Sequence, residues 1–67
     1  MEDNWQMVYS SEFLHKVEIV KALLEEYEIH GVVVNKKDSA YLFGEVELYV
    51  HSDNVLRARL IINREEL

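Results

Sequence analysis

Three histidines, a pair of adjacent lysines and several paired carboxylates are the residues of this 67-residue chain whose types could do chemistry. His15, His30 and His51 lie too far apart for a helical or loop metal motif, in which ligands recur within a few positions. Two of them can still meet. If two strands pair so that Asn35 or Lys36 lies beside Glu45, His30 falls opposite Val50 or His51 at the open end of the hairpin. A histidine pair without a third ligand holds a metal weakly, so neither a metal nor another cofactor is expected. Nucleophilic catalysis finds little support, because the chain has no cysteine and no serine in a glycine-flanked elbow. Glu25-Glu26, Glu45 with Glu47 and Glu65-Glu66 read as solvated charges. The chain is therefore expected not to be an enzyme.

The densest set of recognition chemistry runs from Asn35 to Gly44, longer than the two to five residues of an ordinary hairpin connection. Lys36 and Lys37 offer cationic donors, Asp38 and Ser39 offer turn-forming oxygens, and Tyr41, Leu42 and Phe43 offer apolar surface that a loop does not normally expose. Two readings stand. In one, the segment is a recognition loop whose lysines meet an anionic group while Tyr41 and Phe43 anchor a partner or stack on a ligand. In the other, Asp38-Ser39 make a tight turn, Leu42 and Phe43 fold back over the core, and the lysines are solvated.

The elements that must position these residues belong to one domain, residues 1–67, at the small end of what buries a core unaided. Without cysteine there is no disulfide or thiolate metal to supplement that core, which leaves idealised packing or self-association. The apolar fraction of 49% and charged fraction of 30% are those of an ordered globular chain. Met1-Glu2-Asp3-Asn4 is acidic where a secretory signal is basic, and no apolar run reaches the ~18 residues of a membrane span, so a cytoplasmic location is expected. A net charge of −6 repels phosphate backbones and anionic lipid, which argues against nucleic-acid and membrane partners.

Hydrophobic spacing predicts the elements in turn. Trp5, Met7 and Tyr9 alternate with Gln6 and Val8 in a first strand that ends at Ser10-Ser11. Ser10 or Ser11, with Glu12, then starts a helix to about Glu28, along which Phe13, Val17, Val20, Leu24 and Tyr27 form one stripe, widened by Leu14, Ile19 and Leu23. Gly31 is expected to take a left-handed conformation that ends the helix. Val32 to Val34 form a second strand and Glu45 to Val50 a third, with Val46, Leu48 and Val50 on one face and Glu45, Glu47 and Tyr49 on the other. Ser52 or Asp53 caps a second helix lined by Val55, Ala58, Ile61 and Ile62, with Arg57, Arg59 and Arg64 in water. This βαββα order predicts an α+β, ferredoxin-like fold lacking its fourth strand. Its three strands run in the order 1-3-2, with both helices on one face.

The segments Val8-Tyr9-Ser10, Glu18 to Glu25, Asn35-Lys36-Lys37-Asp38-Ser39 and Tyr41-Leu42-Phe43-Gly44-Glu45 through Val50 resemble a family of small bacterial signal-transducing proteins. That family is a domain of unknown function placed by fold near the PII signalling proteins, and the resemblance is to the subtype common in Bacteroidetes. It implies the ferredoxin-like fold and a regulatory role, with no substrate or catalytic residue. Together with the residues, it points to a regulatory or protein-interaction module. The alternative is a sensor of an anionic metabolite that uses the Asn35 to Gly44 loop. The missing fourth strand leaves strand one at an edge, where Trp5, Met7 and Tyr9, joined by Tyr49 on strand three, make a large apolar set. A homodimer through that surface, or an unidentified protein partner or small ligand, is the expected association.

Overall fold

The computed structural model describes residues 4–36 and 44–65. The residues Lys37, Asp38, Ser39, Tyr41 and Phe43 of the anticipated recognition loop lie outside the described residues. The elements are β1 (Trp5–Ser11), α1 (Leu14–Glu26), β2 (Gly31–Asn35), β3 (Val46–His51) and α2 (Val55–Glu65), the last entered through a single 3-10 turn at Ser52–Asn54. The sheet runs β1-β3-β2, with both outer strands antiparallel to β3. This is the expected α+β, ferredoxin-like βαββα arrangement, without a fourth strand among the described residues.

One face of β3 builds the core. Val46, Leu48 and Val50 are fully buried against Val17, Val20 and Leu24 of α1, Ile29 of the following turn, and Val55, Ala58 and Ile61 of α2. Strand alternation puts the three β3 side chains on one side, and helical spacing puts the α1 and α2 sets on matching stripes. The α1 stripe is narrower than its apolar residues suggest: Phe13, Leu14 and Ile19 are about half exposed. The helix also starts later than Glu12. Ser10 and Ser11 are drawn into the ladder opposite Glu47 and Val46, where backbone pairing outweighs the turn tendency of serine. Ser11 Oγ then accepts from the Phe13 N–H at 3.1 Å.

A β-bulge breaks the register of β1 between Met7, opposite Tyr49, and Tyr9, opposite Leu48. The extra residue is Val8. Since side chains alternate with period two, one inserted residue transfers everything after it to the other face. Trp5 and Met7 therefore share the face of Tyr49, whereas Tyr9 packs against the core. This corrects the single-face reading of Trp5, Met7 and Tyr9.

The end of α1 is a Schellman motif, in which the Ile29 N–H donates to the Leu24 carbonyl at 3.0 Å and the Glu28 N–H to the Glu25 carbonyl at 3.0 Å. The left-handed residue is Glu28, at φ 63°, and not Gly31. Gly31 opens β2, where a Cβ would lie 2.9 Å from the Leu48 side chain, so its smallness serves close packing. Gly44 does need its conformational freedom, with φ at 111° and the Lys36 carbonyl oxygen 2.9 Å from where a Cβ would sit. It leads into β3 where the Lys36 N–H donates to the Glu45 carbonyl at 3.3 Å.

Among the described residues, no helix is long and apolar enough to cross a membrane.

A non-glycine residue in the left-handed region costs about 1 kcal/mol. Glu28→Gly is expected to raise the melting temperature by roughly 5 °C, measured by thermal denaturation. Gly44→Ala in the same assay is expected to destabilise by at least about 1 kcal/mol, because both φ and the Lys36 carbonyl oppose a methyl group.

Candidate interaction surface

The face of the sheet turned away from the helices is built from three rows that cross the strands. Ladder partners place Met7, Tyr49 and Val32 in one row and Ser10, Glu47 and Val34 in the next, while Trp5 lies opposite His51 at one end. Directly opposed side chains in an antiparallel sheet stand within contact distance, so the rows form a continuous surface. Met7 is 42% exposed, and Trp5, Val32, Val34 and Tyr49 are half-buried. Trp5, Met7 and Tyr49 are thus brought together as a surface set. Tyr9 leaves it because of the bulge, and Val32 and Val34 join it. The two valines could have been found by applying strict alternation to Val32-Val33-Val34, but an uninterrupted apolar run hides which of its members faces the core.

At one end of this face sits a polar group that satisfies itself. The Tyr49 hydroxyl donates to Glu47 Oε1 at 2.8 Å, and Lys36 Nζ lies 3.2 Å from the same oxygen. The hydrogen bond from Tyr49 is the main reason the Glu47 carboxyl titrates below the usual carboxylate range, with the Lys36 bond and charge adding to it against a smaller desolvation cost. The bond to Glu47, followed by burial and the Glu47 charge, raises the Tyr49 phenol. The bond to Glu47 and then its charge also raise Lys36. Lys36, anticipated as a cation free to meet an anion, is already held. Asn35 forms the last position of β2 rather than loop.

The other end is aromatic. The Trp5 ring meets His51 edge-on at 5.9 Å between centroids and His30 at 6.5 Å. The strands adopt the second of the two registers considered, with Lys36 beside Glu45, and His30 and His51 flank one indole. His51 is committed to structure. Its Nδ1 accepts the Asp53 N–H at 3.2 Å, capping the 3-10 turn that leads into α2. Its Nε2 lies 3.0 Å from the Asn4 Nδ2. A metal on His51 would have to displace one of these partners, and among the described residues no group of three or more His, Cys, Asp or Glu is placed to hold one. His30 is exposed, with Nδ1 3.8 Å from Glu25 Oε2. His15 is on α1 against Phe13, away from both.

From residue 5 to residue 66, the chain matches the family described as "Putative prokaryotic signal transducing protein". It belongs to that family. The match begins at the first residue of β1 and runs past the end of α2, so every element that carries the open face lies inside the family's domain. Comparison with curated proteins gave no match, and neither did comparison with solved structures.

In this domain the Lys36–Glu47–Tyr49 group makes stability depend on pH at both extremes. The depressed Glu47 carboxyl stabilises the fold above its unfolded titration range, and that contribution is lost as pH falls through the folded value. The raised Lys36 and Tyr49 groups stabilise below their unfolded ranges, and their contribution is lost as pH rises beyond about 10. Glu47→Gln is expected to move part of the tyrosine absorbance titration to lower pH and to flatten both limbs of the stability profile. An unchanged tyrosine titration in that variant would show that Tyr49 does not rely on Glu47.

Proposed function

We propose that this chain is a non-enzymatic regulatory module acting in the cytoplasm through protein contact, and that two copies meet across the open faces of their sheets. The observation that carries this reading is the composition of that face. Trp5, Met7, Val32, Val34 and Tyr49 supply its apolar area, and the charged pair on it, Lys36 and Glu47, is mutually neutralised. On a chain of net charge −6, such a surface lets a like-charged copy approach with little repulsion and no orphaned charge to desolvate.

The three groups whose titration is displaced also fit a binding role better than a catalytic one. Glu47 is held more firmly anionic, Lys36 more firmly cationic and Tyr49 more firmly neutral, the reverse of what proton transfer near neutral pH requires. An anionic metabolite drawn to Lys36 would have to displace the Glu47 carboxylate, so protein contact is the reading the geometry supports better.

Sedimentation equilibrium tests the proposal. Wild type is expected to be dimeric at micromolar concentration. Met7→Lys and Val32→Lys, each placing a charge in the apolar rows, are expected to weaken association by at least ~10-fold while leaving the far-ultraviolet dichroism unchanged. A wild-type protein that stays monomeric into the hundred-micromolar range would overturn it.

A further inference from the structure

The second surface lies on the opposite layer, along the outer side of α2. Leu56 and Leu60 are 78% and 69% exposed, the largest exposures among the described large apolar side chains, and they stand one helical turn apart on the same side. A groove of about 440 Å³ runs beside them, lined by Val8, Leu56, Arg59, Leu60, Ile62 and Asn63. A second of about 250 Å³ lies across Leu60, lined by Tyr27, Arg57, Leu60, Ile61 and Arg64. Leu60 is the ridge between them. Among the described residues β1 pairs with β3 alone, and Val8, the bulge residue, lines the groove.

Charge identifies what fits. Three of the chain's seven basic side chains, Arg57, Arg59 and Arg64, are in α2 against one acidic residue, Glu65. Arg57 donates to the Tyr27 carbonyl at 3.3 Å and Arg64 to the Tyr27 hydroxyl at 3.4 Å, with the Arg64 guanidinium 5.9 Å from the ring centroid. Arg59 makes no hydrogen bond or ion pair to any described residue and stands at the mouth of the larger groove. A planar guanidinium left over beside two exposed leucines matches a carboxylate flanking an apolar stripe. A nucleic acid offers charge without that stripe, and both it and an anionic lipid surface present an extended field of negative charge that one free guanidinium does not offset on a chain of net charge −6, whereas a helix brings only a few carboxylates. An added strand is opposed by the bulge, which interrupts a regular edge. A helix packs readily against a ridge of leucines at i and i+4.

We propose that the outer groove of α2 receives an amphipathic helix of a partner protein, whose apolar stripe packs on Leu56, Leu60 and Val8 and whose carboxylates pair with Arg59. This does not rest on the dimer proposed above, which uses the other face of the sheet.

The probe is a fluorescein-labelled amphipathic peptide with leucines at helical spacing and glutamates elsewhere, alongside the same peptide with lysines for glutamates and one with a central proline. Anisotropy is expected to show binding of the glutamate peptide to wild type with a gain of peptide helicity. Loss of at least ~10-fold in affinity is expected with Arg59→Glu and with Leu56→Lys/Leu60→Lys. All of these positions are exposed, so the variants keep the fold, and dichroism checks that. Arg59→Glu is further expected to reverse the preference toward the lysine peptide. The proposal is overturned if the glutamate peptide does not bind, if the proline or lysine peptide binds wild type equally well, or if affinity ignores the substitutions. It is also overturned if Leu56→Lys/Leu60→Lys dissolves a wild-type dimer, which would make a second copy the occupant. Equal, Arg59-dependent binding of an oligonucleotide or of anionic vesicles would overturn it as well.

Discussion

The two-sided character of β3 is the constraint on which the rest of this structure depends. Both outer strands hydrogen-bond to it, both helices pack on Val46, Leu48 and Val50, and the open surface is organised around Glu47 and Tyr49 on its reverse side. A strand buried on one face and facing outward on the other has strongly specified register, because a slip of one residue would exchange a carboxylate for a core valine. Once β3 is fixed, β2 follows by antiparallel pairing from Gly31 to Asn35, which brings Gly31 close against the Leu48 side chain.

The bulge at Val8 is the second decision, and it divides the roles of β1. Before it, Trp5 and Met7 face outward with Tyr49. After it, Tyr9 turns to the core, while Val8 itself is placed beside α2. One inserted residue thus contributes to both surfaces discussed above. It also bends the only edge that a fourth strand would have covered, a common way for a sheet to resist unplanned strand addition.

Charge distinguishes these two surfaces. The open face carries a carboxylate, an ammonium and a phenol bonded to one another, so it is close to neutral and desolvates with little loss. The α2 groove carries an excess of arginine in a chain whose net charge is negative, and two of those arginines are pinned on Tyr27.

What the sequence determined is what depends on short-range periodicity. The alternation from Val46 to Val50 and the Val17, Val20 and Leu24 spacing are local properties, and they were enough for the βαββα order, the 1-3-2 sheet and the layer of helices. The burial of Ile29, the exposure of Phe13, Leu14 and Ile19 and the bulge at Val8 were decided only by tertiary structure. In each case, the side a residue faces depends on a segment distant in the chain. Tyr9 looks like a surface partner of Met7 by alternation, and only the count of residues opposite β3 turns it inward. Periodicity fixes the relative orientation of neighbours along a segment, whereas register and coverage are set across the sheet, where sequence distance carries no information.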